Sequence, residues 1–501
     1  MFKASIGRQK KSHIVVGLCV LVLAITMLIF PMSLNWVWDE GSWGHHGQYE
    51  KMTEAILDGH LYMDYDVDPK LLDLENPYDR GAREAAGVTY EFDHAFYDGH
   101  YYMYFGIVPV FLLFIPVRLL GITLAGSHGT QIFAALAIMG IFALFYDLAR
   151  KYYHKLSLAS YLSVSVAASF VSLWYAVKYP SLYCTAITSG ICLAIWGICF
   201  CFKAFVADAA RVQDADGELH VPTAEKRVVL YATLGALCSA LVFGCRPTIG
   251  FVSILYIPMI WHYVKNRFAA LGKADKWKLI LGFCLPYIIV ASLLMLYNYV
   301  RFDNPFEFGQ SYQLTLVDQH QYMGQSLSFG KEFWTRLWED IKFYFVAWTP
   351  LGEGFPHIHE DGLLYLFPIV ILGLVAFVGT SKKQKEQVVD KSSSMAGFAV
   401  AILTTVFVII FVQTKWSPNV LRRYAMDFTF LLMILVFLGV CRVFALVNEK
   451  YHKSCGAVVI ILSVASCLVC VLLFFTTGES AMADVQPELI DKIERTLYFW
   501  K

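Results

Sequence analysis

The sequence predicts an all-α fold, a polytopic transmembrane helical bundle of about twelve spans (roughly 11 to 13) with a large external first loop. Of the 501 residues, 57% are hydrophobic and only 16% are charged, whereas a soluble domain carries roughly 25% charged residues. Apolar runs recur along the chain and approach the length of roughly 18 to 20 residues that a helix needs to cross the hydrocarbon core.

The first apolar run covers residues 14–30 and follows a basic N-terminus. No small-residue cleavage site follows it, so we interpret it as a retained span that ends in an interfacial tryptophan belt. The other candidate spans cover residues 103–121, 128–148, 157–178, 182–204, 228–246, 248–264, 278–299, 362–380, 395–413, 424–446 and 455–477. Because irregular backbone cannot face lipid, we expect function in the loops and between the helices.

Clusters of lysine and arginine predict which loops are cytoplasmic. After the N-terminus they occur at residues 211–227, 265–278, 382–385 and 450–453. We therefore expect a protein of the plasma membrane with a cytoplasmic N-terminus. The loops of residues 35–102 and 300–361 then lie outside.

One basic cluster conflicts with this topology. Arg150, Lys151 and Lys155 look cytoplasmic, but two full crossings after an external loop, 103–121 and 128–148, would leave them outside. Three explanations are open. One of the two segments is re-entrant or interfacial, a short span is hidden between residues 155 and 204, or the cluster breaks the rule.

The main polar feature is the first external loop, residues 35–102, which has fifteen acidic and four basic residues. We assign residues 1–477 to one transmembrane domain and residues 478–501 to a C-terminal tail. Within the loop, residues 47–64 predict a short amphipathic helix at the membrane surface. Its apolar face would carry Tyr49, Met52, Ile56 and Leu57.

Carboxylates of this loop are candidates for a general base. Asp39 and Glu40 directly follow the first span in WVWDEGSW, where the neighbourhood of lipid favours proton abstraction from a hydroxyl. Asp93 stands in YEFDHAFYDGHYYMYF, and its neighbours Tyr97 and Tyr101 could stack on a sugar. The alternative is structural: external loops tolerate acidic residues, and aromatic residues form interfacial belts.

Arginines at the outer ends of spans are candidates for phosphate binding, because a guanidinium can grip a phosphate through two parallel hydrogen bonds. The alternative is that each arginine snorkels at the end of its span. The candidates are Arg246 in GCRPT, Arg301 in NYVRFDNPF, and Arg422 with Arg423 in NVLRRYAMD.

Metal binding has weaker candidates. The adjacent His45 and His46 make poor co-ligands, whereas His357 and His359 alternate in HIHED and could share a metal with Glu360. The sequence requires no cofactor, and a divalent cation is the one candidate. The formal net charge of zero gives no support for a nucleic-acid partner, which would need a basic surface.

These features resemble the GT-C class of integral membrane glycosyltransferases, which includes protein O-mannosyltransferases and the bacterial enzymes that add aminoarabinose to lipid A. The resemblance is carried by the carboxylates after the first span, by the motifs YFGIVPV, RFDNPFEFG and RRYAMD, and by one series of residues. That series is Tyr49, Ala55, Gly59, Leu61, Tyr62 and Asp64.

The resemblance implies transfer of a hexose or pentose, with inversion, from a polyprenyl-phosphate donor to an acceptor hydroxyl at the outer face of the membrane. An acidic residue of the external loop would act as base. In many members an acidic pair stands a few residues before the tyrosine, where this chain has His45 and His46. Asp39 is our first choice because it lies nearest the first span, and the departure from the family pattern keeps Asp93 as an alternative, followed by Glu40. A flippase, transporter or polymerase of lipid-linked saccharides is the competing hypothesis.

Overall fold

The computed structural model of the chain is a bundle of α-helices, and it confirms the predicted all-α class. Seven helices among the described residues are long and apolar enough to cross a membrane, and shorter apolar helices accompany them. The chain is therefore a multi-pass membrane protein. The structure describes residues 10–29, 47–180, 182–206, 212–213, 219–220, 224–325, 329–352, 355–378, 382–417, 420–476 and 487–498.

The helices are named here in chain order. They are α1 (Lys10–Ile29), α2 (Gln48–Asp58), α3 (Pro69–Leu72), α4 (Arg80–Ala86), α5 (Ile115–Leu119), α6 (Gly126–Tyr152), α7 (Leu158–Lys178), α8 (Leu182–Phe205), α9 (Ala224–Phe243), α10 (Tyr256–Asn266), α11 (Lys273–Phe302), α12 (Gln319–Gln325), α13 (Lys331–Phe345), α14 (Leu363–Leu366), α15 (Lys382–Trp416), α16 (Met426–Leu446), α17 (His452–Leu473) and α18 (Pro487–Leu497).

Tighter and wider turns extend several of these helices, and two antiparallel hairpins complete the described structure. A π-helical turn, Val110–Phe114, leads into α5. The 3₁₀ segments are Ile249–Leu255, Phe268–Ala270, Pro368–Phe377, Arg422–Ala425 and Glu449–Tyr451. The hairpins pair β1 (Ala95–Tyr97) with β2 (His100–Tyr102), and β3 (Val212–Gln213) with β4 (Leu219–His220).

Two helices form the centre of the bundle. In α8 and α16 the most apolar stretch is 83% buried, whereas in α11 only 11% is buried. Helix α16 reads MDFTFLLMILVFLGVCRVFAL and is apolar on all sides, as expected for a helix surrounded by others. A side chain at Gly439 would clash with the backbone of Leu372, so the glycine lets the segment Pro368–Phe377 pass closely.

The first loop packs against the loop of residues 300–361, which we call the second loop. The Asp93 N–H donates to Leu314 O at 2.9 Å, Leu314 N–H donates to His94 O at 2.8 Å, and Phe96 N–H donates to Tyr312 O at 2.9 Å. The buried Arg83 in α4 also donates to Thr315 O at 2.6 Å. These bonds hold the first loop and the second loop together as one cap over the bundle.

The predicted amphipathic helix is α2. Tyr49 and Met52 are buried as expected, but Leu57 is 42% exposed and Ala55 takes its place on the buried face. Tyr49 stacks on Phe114 with ring centroids 5.2 Å apart. The helix therefore covers the π-helical turn before α5 with its apolar face.

Contacts between helix ends define two ends of the bundle. At one end Lys155 pairs with Glu449 at 3.0 Å. At the other, which we call the loop end, Lys178 pairs with Glu360 at 2.7 Å and also contacts Thr476. Because α7 runs from Leu158 to Lys178 and α17 from His452 to Leu473, both helices run from the first end to the loop end.

The structure also favours one explanation for the conflicting basic cluster. Segment 103–121 forms a helix only from Val110 to Leu119, about 15 Å long against a core of about 30 Å, so it cannot span. The His13 ring near the start of α1 lies 5.6 Å from the Tyr146 ring near the end of α6. The N-terminal end of α1 and Arg150 therefore lie at the same end of the bundle.

This topology predicts thiol accessibility in intact cells. Cysteines introduced for the exposed Lys155 and Lys450 should resist an impermeant thiol reagent added outside, whereas a cysteine introduced for Asp64 should react, because basic clusters stay inside. Native cysteines that react would be replaced first. Reaction of Lys155→Cys together with Asp64→Cys would mean that segment 103–121 crosses the membrane after all.

Candidate functional site

Asp93 is fixed where three parts of the chain meet. Its side chain is 6% exposed and its φ is +54°, a left-handed conformation that is uncommon outside glycine. Gln313 Nε2 of the second loop donates to Oδ1 at 3.0 Å, and the Tyr183 hydroxyl of α8 donates to Oδ2. Gln48 Nε2 of α2 donates to the Asp93 carbonyl oxygen at 3.1 Å.

Arg423 lies on the other side of Tyr183. It belongs to the 3₁₀ turn Arg422–Ala425 before α16, and its guanidinium stands 4.0 Å from the centroid of the Tyr183 ring and 5.5 Å from that of Tyr424. Within the described residues it has no hydrogen bond or ion pair, and its side chain is half-buried. Among the described residues, no group therefore accepts a hydrogen bond from the Arg423 guanidinium.

Arg246, in the turn that follows α9, lies near the ring of Tyr424. Its guanidinium lies 5.3 Å from the centroid of the Tyr424 ring. Its Nε donates to both carboxylate oxygens of Asp427, at 2.9 and 3.1 Å. Asp427 is fully buried and also accepts hydrogen bonds from Thr248 Oγ1 at 2.7 Å and Gln413 Nε2 at 2.9 Å.

Among the described residues, the charges in the basic part of the site, around Tyr424, do not cancel. Asp427 balances Arg246, but Arg423 has no carboxylate partner among the described residues. The hydrogen bonds of Arg246 use Nε, so its two Nη groups keep their donors. Two guanidiniums on the rings around Tyr424, with one net positive charge, form a place that suits an anion with several oxygens.

Tyr104 lies between the acidic and the basic parts of the site. Burial, and then the nearby Asp93, raise the pKa of Tyr104 well above its ordinary value. Its hydroxyl therefore stays protonated and can donate a hydrogen bond at any physiological pH. A side chain at the neighbouring Gly106 would clash with the carbonyl oxygens of Gly244 and Cys245, so this glycine brings the loop next to Arg246.

Other predicted phosphate ligands are used within the protein. Arg301 is 4% exposed and donates to Met103 O at 2.6 Å and to Asn298 Oδ1 at 2.9 Å. Arg422 donates to Phe343 O at 2.5 Å and stacks on that ring. The structure places neither guanidinium on the Tyr183 ring.

The predicted sugar-stacking residues lie in the hairpin of the first loop. Tyr101 is 1% exposed, and the Glu91 N–H donates to its hydroxyl at 3.4 Å, so its ring belongs to the core of the loop. Tyr97 is partly exposed and packs against Tyr312 with centroids 4.6 Å apart. Tyr97 therefore presents more surface to a ligand than Tyr101 does.

The histidines of HIHED do not gather into a ligand set with Glu360 in the described structure. His357 Nδ1 contacts Gly352 O at 2.7 Å, while Glu360 is occupied by Lys178. Another group of metal-binding residue types has its ligand atoms within 4.8 Å of one another, at the surface after α2. It comprises Asp58, His60 and Asp64.

Four predicted residues lie outside the described residues: Asp39, Glu40, His45 and His46. Several residues that build the site were not predicted from the sequence, namely Tyr104, Tyr183, Gln313, Tyr424 and Asp427. Asp427 did carry a signal, since a single carboxylate at the start of an apolar run needs a buried cation. Tyr183 and Gln313 carried none, because only the folded chain brings them to Asp93.

Comparisons with known proteins give one structural neighbour. It is the archaeal oligosaccharyltransferase AglB from Archaeoglobus fulgidus, in complex with an inhibitory peptide and a dolichol-phosphate. The TM-score is 0.42 at 11% sequence identity, over 92% of this chain and 55% of that one. The chain thus spans about half the length of that protein. No family model matches the sequence, and no curated protein does.

The buried ion pair should be important for stability. Asp427→Asn keeps the size of the side chain but leaves Arg246 without its counter-charge, so the free energy of unfolding should fall by about 3 kcal/mol. The measurement is denaturant unfolding of the purified protein in detergent. Glu449→Gln, at the exposed pair with Lys155, is the matched control and should leave the unfolding midpoint unchanged. Equal stability of both variants would contradict this role of Asp427.

Proposed function

We propose that this protein is a membrane glycosyltransferase that transfers a sugar from a polyprenyl-phosphate donor to an acceptor hydroxyl at the loop end. One observation carries the proposal. Asp93 lies on one side of Tyr183, bound to its hydroxyl, and Arg423, which has no ion pair among the described residues, lies on the other side and stacks on its ring. A carboxylate and a cation this close match a reaction in which the carboxylate removes a proton and the cation stabilises a phosphate that leaves.

The chemistry needs both kinds of group. The acceptor oxygen forms a bond to the anomeric carbon, while the bond from that carbon to the phosphate oxygen breaks. The lipid phosphate leaves with the electron pair, and a carboxylate of the loop takes the acceptor proton. The transition state resembles the oxocarbenium ion of glycoside hydrolysis, and attack opposite the leaving group inverts the anomeric centre.

We assign the leaving phosphate to Arg246 and Arg423. Each is held by one side of its guanidinium, Arg246 by Asp427 and Arg423 by the Tyr183 ring. Their remaining N–H groups have no acceptor among the described residues and can donate to phosphate oxygens. Because the surroundings exclude much of the water, fixed charges act strongly on the charge that develops on the leaving group.

Asp39 remains the first candidate for the base, because it directly follows the first span. Asp93 is the second candidate and Glu40 the third. The hydrogen bonds from Tyr183 and Gln313 hold Asp93 firmly, so as a base it would take the acceptor proton over a short distance or through the tyrosine hydroxyl. Whichever of the three carboxylates is the base, the loop end would face outside, in a plasma-membrane protein with a cytoplasmic N-terminus.

The proposed phosphate site is tested by keeping the charge and changing the shape. Arg246→Lys and Arg423→Lys should each weaken binding of a polyprenyl-phosphate sugar about tenfold, because an ammonium cannot form two parallel hydrogen bonds. Binding would be measured by titration of the purified protein. Arg80→Lys, at an exposed surface pair, is the matched control and should bind as the wild type does. Wild-type affinity in both site variants would mean that these arginines only anchor their helices.

The base is tested by amide isosteres. One of Asp39→Asn, Asp93→Asn and Glu40→Gln should lower the transfer rate by about 10²-fold or more, while donor binding changes little, because the amide keeps the size but loses the basicity. Asp73→Asn, at an exposed position of the same loop, is the control. Near-normal transfer by all three variants would refute a carboxylate base. If saccharide movement across the membrane were then measurable, a transport function would be favoured instead.

A further inference from the structure

A small recess lies beside the turn that carries Arg423, and Arg422 and Ala425 of that turn line it. It is mostly enclosed and has room for a hydroxyl group, not for a whole sugar ring. Its walls combine rings with polar side chains. The lining includes Trp174, Tyr175, Tyr344, Asp361, Arg422 and Thr429.

Tyr344 is the side chain in the recess that indicates a ligand. It is 2% exposed, and its hydroxyl has no hydrogen-bond partner in the described structure. A buried hydroxyl without a partner is unfavourable, typically by about 1 to 3 kcal/mol. Burial raises the pKa of Tyr344, so the hydroxyl stays protonated and can both donate and accept. The fold thus maintains a polar group that a bound molecule could satisfy.

Two further groups give the recess donors and acceptors. Asp361 is 4% exposed, and its Oδ1 accepts a hydrogen bond from Thr349 Oγ1 at 2.8 Å. Arg422 stacks on Phe343 with its guanidinium 3.7 Å from the ring centroid and donates to the carbonyl oxygen of that residue. A phenol, a carboxylate and a guanidinium together suit a neutral hydroxyl, which itself donates one hydrogen bond and accepts others.

The charges around the recess exclude a second phosphate. Glu360 is already paired with Lys178 at 2.7 Å, and Asp361 lies within electrostatic range of Arg422, so among the described residues the positive charge of Arg422 is balanced by Asp361. Several tyrosines, including Tyr175, lie within electrostatic range of Arg423. Because Tyr175 also lines the recess, a sugar attached to a phosphate at Arg423 would stand at the recess, with aromatic rings beside its C–H faces.

We infer that this recess receives a hydroxyl of the sugar carried by the lipid donor, with Tyr344 as its central partner and Asp361 and Arg422 beside it. The inference rests on the proposed function and adds a site for sugar recognition. The phosphate would be held at Arg246 and Arg423, and one hydroxyl of the sugar would be recognised in the recess by Tyr344. A sugar that lacks the matching hydroxyl would leave the phenol unpaired and bind more weakly.

The test compares two ligands on the full-length protein. One is a polyprenyl phosphate, and the other is the same lipid carrying glucose, galactose, mannose or aminoarabinose, whichever binds most tightly. Tyr344→Phe should lower the affinity for the sugar-bearing lipid about fivefold, since one hydrogen bond is lost, and leave the affinity for the bare lipid unchanged. The exposed Tyr365→Phe is the matched control and should change neither.

Folding should not obscure the result. Because the Tyr344 hydroxyl has no partner in the part of the chain that the structure describes, Tyr344→Phe should unfold at the wild-type temperature or above it when no lipid is present. If the wild type binds both lipids and Tyr344→Phe keeps the full preference for the sugar-bearing one, the recess does not bind sugar and the proposed function stands. If the wild type binds neither lipid, the proposed function fails, and this inference fails with it.

Discussion

The buried ion pair between Arg246 and Asp427 is the interaction on which the rest of the loop end depends. Asp427 begins the central helix α16 and is fully buried, and an unpaired charge in such surroundings is costly. The carboxylate is satisfied by donors from two other parts of the chain, through Arg246 and Thr248 after α9 and through Gln413 on α15. One charge thus fixes how three transmembrane segments meet.

The position of the free arginine follows from this constraint. Arg423 lies four residues before Asp427, in the turn that leads into α16, so fixing the start of the helix also fixes the turn. The aromatic faces of Tyr183 and Tyr424 then hold the guanidinium without neutralising it. The first and second loops add Asp93 and Gln313 from above. The loop end therefore presents the cation of Arg423 on the fixed start of α16 and the carboxylate of Asp93 on the two packed loops.

Much of this fold could be predicted from the sequence, because lipid selects long apolar runs and basic loop clusters. The all-α class, most helix positions and the arginines of the loop end follow from those rules. Segment 103–121 was misjudged in length because hydropathy does not distinguish a short helix with an extended lead from a full span. The environment of Asp93 could not be predicted from the sequence. Its partners Tyr183 and Gln313 stand 90 and 220 residues away along the chain, and no local pattern marks such contacts.

The large separation between the partners of the ion pair also has a consequence for how the protein is made. Arg246 precedes Asp427 by 181 residues, so helix α9 enters the bilayer long before its counter-charge has been synthesised. Until α16 arrives, the arginine must stay near water or lipid headgroups at the edge of the membrane. The ion pair of the loop end can thus form only after the start of α16 has been synthesised. A chain that stops before residue 427 would expose an uncompensated charge, a feature by which membrane quality control can recognise an unfinished protein.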